Sequence, residues 1–195
     1  MRLYHHPPKD GRVLCLDEKG TIAIKVYGGG RWGYHRPIIP DKQDVRGTVE
    51  CIGLYDPHKG QLFVRFYPKK SAKEVISTIK AYRKELRYWG KIYLIIDNWS
   101  AHISFEFQKF VKSDGKIILV WTPLRNSWLN AIEPMFSLIH ERCLKGSNYH
   151  QKRTLIWTVH KFVRRRNREM LRDYRNGRHQ FRFSYTLRNV SGQNS

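Results

Sequence analysis

The first third of the chain carries apolar residues at the spacing of β-strands. Three short segments rich in aliphatic residues, 12–18, 21–27 and 48–56, are separated by polar and turn-forming residues. In a fourth segment, 61–67, apolar and polar residues alternate, and residues 57–60 before it are typical of a hairpin turn. The pattern therefore predicts a sheet that begins with antiparallel strands.

From Ser71 onward the apolar spacing becomes helical. Ser71 is a suitable N-cap, and the helix after it carries a single apolar stripe. The run 91–97 is short and uniformly apolar, which indicates a strand buried on both faces. The remaining predicted elements are helices at 103–112, 129–144 and 151–173 and a strand at 116–121. This order of elements predicts a mixed α/β domain in which helices cover a sheet.

The charge of the chain points to a polyanionic partner. Its 195 residues include 37 Lys and Arg against 16 Asp and Glu, a formal net charge of +21. Such an excess usually attracts nucleic acid, and we predict double-stranded DNA. An anionic membrane is the competing partner, but the sequence has no lipidation motif, basic amphipathic anchor or apolar run of about 20 residues. Since a signal-peptide core is also missing, we expect a cytoplasmic, nucleoid-associated protein.

Two regions outside the predicted sheet carry candidate DNA contacts. Residues 28–47 lack periodicity and are predicted to form a loop that touches DNA. Residues 151–195 hold 12 Lys or Arg against two acids, so they contribute +10 of the net charge, and a basic helix suits phosphate contact better than base reading. The predicted DNA-binding residues are Arg31, Trp32, Arg125, Lys161, Arg164, Arg165, Arg166 and Arg168. The alternative is a solvated helix face whose charge only aids solubility.

Three acids lie at the ends of apolar runs or beside them. Asp17 closes the first run, Asp97 closes the run of the central strand, and Glu133 lies near the start of a predicted helix. Carboxylates held at the ends of strands offer the hard oxygen ligands that Mg²⁺ prefers. In so basic a protein, the three together predict a divalent metal site that cuts or joins nucleic acid.

Each acid could also have a purely local structural role. Asp97 fits an N-cap or Asx turn before the next helix, and Asp17 fits a hairpin turn with Glu18. Glu133 fits a capping box with Asn130. We favour the metal site over these local roles because the sequence supplies a first strand, a central strand and a later helix to hold the three acids.

Three blocks of the sequence resemble a known family. Residues 14–20 around Asp17, residues 94–98 with His102, and residues 127–137 around Glu133 are similar to motifs of the bacterial mariner-superfamily insertion-sequence transposases, which are DDE endonucleases. The resemblance runs from about residue 4 to 170. Its third block, Ser-Trp-Leu-Asn-Ala-Ile-Glu-Pro-Met-Phe-Ser, is specific, and the 35 residues between Asp97 and Glu133 are a spacing that this superfamily uses.

The resemblance implies a catalytic centre. Asp17, Asp97 and Glu133 would be the catalytic triad and would bind two Mg²⁺ ions, for which Mn²⁺ can substitute. The implied activity is cleavage of DNA phosphodiesters and joining of 3′-OH ends to target DNA, with TA as the family-level target. The supporting positions near substrate would be Asn98, His102, Trp128 and Asn130.

The resemblance also implies a fold, which would be ribonuclease-H-like, a mixed five-stranded sheet flanked by helices, over residues 12–150. Pro7, Pro8 and Asp10-Gly11 break regular structure, so residues 1–11 are expected to form a flexible N-terminal segment. A basic C-terminal helix and tail, 151–195, are expected to follow the domain. Family members usually carry an N-terminal helix-turn-helix region, and the residues before Asp17 are too few for one. A separate helix-turn-helix polypeptide would then recognise the DNA ends, or the chain is a truncated copy; synapsis would require at least a homodimer.

Other classes of protein compete with this interpretation. A catalytically inactive or domesticated DNA-binding remnant would keep the fold and the charge, although the presence of all three acids argues against decay. Another ribonuclease-H-like nuclease would usually draw its site from four acids and lack the third block. A zinc enzyme ranks lower, because Cys15, Cys51 and Cys143 are far apart and lack ligand spacing, as does the His5-His6 pair. The cysteines are predicted to be free and buried.

Overall fold

The protein is built on a mixed five-stranded sheet, as predicted. The computed structural model describes residues 2–26, 44–98, 100–123 and 129–179. The strands are β1 (Gly11–Val26), β2 (Asp44–Asp56), β3 (Gln61–Tyr67), β4 (Lys91–Ile96) and β5 (Ile117–Trp121). They lie in the order β3-β2-β1-β4-β5. The first three form an antiparallel meander, whereas β4 runs parallel to β1 and β5 runs parallel to β4.

Helices cover both faces of the sheet. They are α1 (Arg2–His5), α2 (Ala72–Glu85), α3 (Ser100–Ile103), α4 (Phe105–Asp114), α5 (Glu133–Ile139) and α6 (Lys152–Arg175), and a π-helical segment (His140–Leu144) extends α5. Residues of α5 and α6 share one apolar core with alternate residues of β1 and β2. Residues of α2 and α4 form a second core on the opposite face. The sheet is therefore buried on both sides, which accounts for the uniformly apolar sequence of β4.

The beginning of the sheet differs from the sequence prediction. Segments 12–18 and 21–27 were expected to be separate strands with a turn between them, but they form one 16-residue strand, β1. Its pairing with β2 continues through a register irregularity between Lys19 and Ile22. Such a bulge absorbs Gly20 without ending the strand. Asp17 consequently lies inside β1, and its alternative role in a hairpin turn is wrong.

Residues 1–11 were predicted to be flexible because of their prolines, but the structure differs from this prediction. Residues Arg2–His5 form a helical turn, and Tyr4 is buried in the core beside α5 and α6. The Tyr4 hydroxyl donates to the carbonyl of Leu129 at 2.8 Å and accepts from the amide of Ala131 at 3.2 Å. Burial of one aromatic ring and two hydrogen bonds outweigh the local turn propensity that the prediction used.

The basic C-terminal helix is part of the same core as the sheet. Leu155, Val159 and Val163 of α6 are buried against it. The Asn167 side chain pairs with the edge strand β3, donating to the carbonyl of Leu62 at 2.7 Å and accepting from its amide at 2.9 Å. These contacts fix which face of α6 turns inward.

Two further expectations concern cysteines and membranes. Cys15, Cys51 and Cys143 are free and buried, as predicted. Within the described ranges of the chain, no helix has the length and apolar character needed to cross a bilayer.

Candidate active site

Asp17 lies in β1, and Asp97 directly follows β4, the parallel strand next to it. The β1–β4 ladder extends to the pair of Cys15 and Ile95, two residues before each aspartate. Cys15 and Ile95 belong to the core under α5 and α6. Because side chains alternate along a strand, the Asp17 side chain is directed to that same face of the sheet.

Glu133 reaches this face as the first residue of α5. The helix can lie close to the sheet because the β2 residue paired with Asp17 is Gly53. A β-carbon on Gly53 would come within 2.8 Å of the Ile132 side chain and 3.0 Å of the Phe136 ring. Because Gly53 has no side chain, the start of α5 can pack against the backbone of β2 beside Asp17. Glycine inside a strand commonly marks such a close approach.

The residues before α5 are tied to β1 by Asn130. This side chain is 1% exposed and donates to the carbonyl of Leu16 at 2.8 Å. The N-cap of α5 is Ile132, so the capping box between Asn130 and Glu133 is not formed. Asn130 instead links the strand that carries Asp17 to the segment that carries Glu133, and Tyr4 holds the same segment from the other side.

The charges of Asp97 and Glu133 act on the carboxyl group of Asp17. Burial is the main reason that the pKa of Asp17 is raised to about 7; the charges of Glu18, Asp97 and Glu133 also raise it, against a hydrogen bond from the Glu18 amide that lowers it. That amide donates to Asp17 Oδ1 at 2.8 Å. Mutual repulsion of this kind is what a bound cation relieves, and three carboxylates form a hard donor set that suits Mg²⁺.

The structure nevertheless stops short of a preformed metal cage. In the part of the chain that it describes, no three His, Cys, Asp or Glu side chains lie close enough together to hold a metal ion. Chemically the donor set fits a divalent cation, whereas its coordination sphere is not assembled.

Asp97 is held by a buried histidine. His102 has no exposed surface, and its Nδ1 lies 3.1 Å from Asp97 Oδ1 and 3.2 Å from the Asp97 carbonyl oxygen. Both of these atoms are acceptors, so Nδ1 is the nitrogen that carries a proton. The predicted supporting position His102 thus touches the carboxylate directly.

The other predicted site residues have different surroundings. Asn98 is exposed, with its amide nitrogen 3.4 Å from the carbonyl of Thr122. Trp128, Arg31, Trp32 and Arg125 lie outside the described residues.

The outer face of α6 is a basic stripe. Its seven exposed residues recur every three or four positions: Arg153, Trp157, Lys161, Arg164, Arg168, Arg172 and Arg175. At 1.5 Å per residue this stripe is about 33 Å long, close to one turn of B-DNA. Arg165 is exposed at its edge, whereas Arg166 turns inward, donates to the Gly60 carbonyl at 2.6 Å and lies over the Tyr55 ring. Arg166 was predicted to bind DNA, but its side chain is held by these contacts within the protein.

Replacing Asp17 with asparagine should stabilise the metal-free protein at alkaline pH. The pKa of Asp17 is about 7 in the folded state against 3.8 ordinarily, so the folded state binds the proton more tightly. Stability is then greatest below about pH 4 and falls as the pH rises to about 7. At pH 8 in EDTA, we expect Asp17→Asn to raise the free energy of unfolding by on the order of 2–4 kcal/mol, measured by thermal or urea denaturation.

The matched control for this prediction is Asp10→Asn. Asp10 is exposed, and its hydrogen bond with Lys91 lowers its pKa, so this variant should gain no stability. An Asp17→Asn protein that is no more stable than the wild type at pH 8 would contradict the assigned environment of Asp17.

Comparison with known proteins gives a family and a relative. A family model described as DDE superfamily endonuclease matches residues 12–156. A protein from Shigella sonnei, described as the insertion element IS630 uncharacterized 39 kDa protein, is 28% identical over 118 residues. That match covers 60% of this chain but only 29% of the relative, so the chain spans well under half the length of this curated relative.

Solved structures with a similar fold come from the Mos1 transposase. The crystal structure of the Mos1 mariner paired-end complex with Mn superposes with a TM-score of 0.60 at 12% identity, covering 85% of this chain and 52% of that one. The Mos1 catalytic domain with raltegravir and Mn gives 0.58 at 8% identity, covering 91% and 86%. At such identities the likeness concerns the fold alone, and it confirms the expected ribonuclease-H-like arrangement of sheet and helices.

Proposed function

The chain belongs to the DDE superfamily endonucleases, and on that premise we propose that it cleaves DNA phosphodiesters and joins the freed 3′-OH ends to target DNA, as the catalytic part of a transposase. The proposal is supported by the parallel pairing of β1, which contains Asp17, with β4, which Asp97 follows, and by the charges of Asp97 and Glu133 that act on Asp17. No covalent protein intermediate is needed.

The three carboxylates would hold divalent cations, Mg²⁺ with Mn²⁺ as a substitute. Such ions supply activation of a water or 3′-OH nucleophile and stabilisation of the leaving 3′ oxygen. Mos1 complexes solved with Mn and with Mg support this choice of metals. For this chain, binding requires Asp17 to lose its proton, so metal affinity should rise with pH up to about 7.

The surrounding residues aim the carboxylates. The Glu18 amide holds Oδ1 of Asp17, and the His102 ring holds Oδ1 of Asp97. Asn130 keeps the start of α5 against the strand of Asp17. Buried groups that position carboxylates in this way favour the fixed ligand geometry that metal-assisted phosphodiester chemistry demands.

The basic stripe of α6 would hold the duplex. Arginine and lysine side chains at this spacing contact phosphates without reading bases, and an open groove lined by Lys161, Arg164 and Arg168 lies on the stripe. The Mos1 structure with the left transposon end supports DNA as the partner. Three expectations stay predictions: a homodimer in the synaptic complex, a separate helix-turn-helix polypeptide that recognises the DNA ends, and a location at the nucleoid.

Incubation with supercoiled plasmid tests the function. With Mg²⁺ or Mn²⁺, the purified protein should convert the plasmid to nicked circles, and EDTA should prevent this. DNA binding without any nicking in either metal would refute the proposed activity and favour the inactive, DNA-binding remnant.

A further inference from the structure

Trp157 is a large apolar side chain exposed in the middle of the basic stripe. Its relative exposure is 55%, and neither apolar core of the described residues includes it. The inner face of α6 is instead formed by Leu155, Val159 and Val163. Single exposed apolar residues are common on protein surfaces. What sets Trp157 apart is that its neighbours along the outer face of the helix are cations.

Cations lie on both sides of the indole along the helix. Arg153 and Lys161 are exposed and are each four residues away, which is about 6 Å along the helix axis. Nζ of Lys161 lies over the ring, 4.8 Å from its centroid. More than half of Trp157 stays exposed despite this contact. An aromatic face between two cations is a combination that binds a nucleobase by stacking and the adjacent phosphates by charge.

An open groove continues the stripe beyond Lys161. It has a volume of about 520 Å³ and is lined by Lys161, Arg164, Asn167 and Arg168. The Asn167 side chain is bonded to the backbone of Leu62 in β3, so this part of the lining is fixed. A space of this size accommodates a nucleotide, and its three cations are complementary to phosphates. A strand whose base lies on Trp157 can therefore continue into the groove.

Base pairing decides whether the indole has a base face to stack on. In a duplex each base is covered on both faces by its neighbours, so a protein side chain reaches only the backbone and the base edges in the grooves. In a single strand the base faces are accessible, and stacking of one base on an aromatic ring strengthens binding by roughly 5- to 150-fold. The aromatic part of the stripe therefore suits unpaired DNA, whereas its cations suit any DNA.

We propose that Trp157 is a stacking platform for an unpaired nucleobase, so that α6 binds a single-stranded DNA segment whose phosphates meet Arg153 and Lys161. The inference rests on the proposed binding of DNA by the basic stripe and deepens it, because it names the form of DNA that this surface prefers. It does not depend on cleavage. In a reaction that nicks DNA, strand ends that unpair beside the nick are a source of such segments.

DNA binding in the absence of metal measures this role apart from catalysis. In EDTA, fluorescence anisotropy compares the affinity of the full chain for a duplex and for an oligothymidine of about 12 nucleotides. Trp157→Ala should bind the oligothymidine about tenfold more weakly than the wild type, whereas its duplex affinity and melting temperature should be nearly unchanged. The control is Trp89→Ala, which removes a 61% exposed indole from the turn between α2 and β4 and should bind both DNAs like the wild type. An oligothymidine affinity of Trp157→Ala equal to that of the wild type would overturn the proposal.

Two further variants separate stacking from apolar bulk. Trp157→Phe keeps an aromatic face and should retain most of the affinity for oligothymidine, whereas Trp157→Leu keeps apolar bulk and should lose it. A leucine variant that binds as well as the phenylalanine variant would overturn the proposal. Equal losses of oligothymidine and duplex binding in Trp157→Ala would also overturn it, because the indole would then only hold Lys161 in place.

Failure of this inference is distinguishable from failure of the proposed function. If the wild type binds neither DNA, both the proposed holding of DNA by α6 and the role of Trp157 are refuted. If Trp157→Ala binds oligothymidine like the wild type while the wild type nicks plasmid in Mg²⁺, only the role of Trp157 is refuted. If Trp157→Ala loses oligothymidine binding while the wild type nicks no plasmid, the stacking role stands and the proposed cleavage is refuted.

Discussion

Replacing Asp97 with alanine should reduce metal-dependent nicking of supercoiled DNA by roughly 10³-fold or more, while the affinity for duplex DNA stays the same or rises. Asp97 directly follows the C-terminal end of β4, and its carboxylate is in contact with His102. Its loss removes one of three proposed cation ligands, yet it also removes a negative charge that repels phosphate. Activity and affinity should therefore move independently, which plasmid nicking and fluorescence anisotropy with the same protein preparation will measure.

Two companion variants make this result interpretable. Asp97→Asn keeps the size of the side chain and should be as inactive as the alanine variant, which separates loss of charge from loss of packing. Asp10→Ala removes an exposed carboxylate near the opposite, N-terminal end of β1 and should retain full activity. Nicking by purified Asp97→Ala or Asp97→Asn at the wild-type rate would remove Asp97 from the proposed triad.

Neutralising the basic stripe should weaken DNA binding strongly and change its dependence on salt. In the variant Lys161→Gln/Arg164→Gln/Arg168→Gln, three exposed cations leave the outer face of α6, and none of them belongs to the buried core that holds the helix. If each contacts a phosphate, the slope of log K against log salt should become shallower by about 2.7, and affinity at low salt should fall on the order of 10- to 100-fold. Melting temperature should be nearly unchanged.

The control carries the same change in net charge on the opposite face of the sheet. Lys73 and Lys84 of α2 and Lys112 of α4 are exposed there, and their replacement by glutamine also removes three positive charges. Only a local interface predicts that the α6 variant loses much more affinity than this one. Equal losses would show that the charge attracts DNA diffusely and that α6 is a solvated face.

Sequence patterns predicted the parts of the fold that depend on local periodicity. Strand β3 agrees with the predicted 61–67, and α2 begins directly after its predicted N-cap, Ser71. Asp97 was correctly placed at the end of a buried strand, because a short run that is apolar throughout is typical of a strand covered on both faces. The family followed from short motifs around the three acids.

What the sequence did not predict depends on contacts between distant segments. Tyr4 lies in a start rich in turn-forming residues, yet its hydroxyl reaches residues 129 and 131. Gly53 matters only because α5 packs over β2, although a lone glycine in an otherwise apolar strand was a usable signal. The continuation of β1 past Glu18 was not predicted, because the bulge that carries the strand onward has no clear sequence pattern.

The central claim is that Asp17, Asp97 and Glu133 share bound cations. The most direct measurement is anomalous diffraction at the manganese absorption edge from crystals of the protein grown with Mn²⁺. We expect a peak in contact with carboxylate oxygens of all three residues, which requires the three carboxylates to move toward one another. Manganese bound elsewhere, with any of these three carboxylates turned away from it, would contradict the claim.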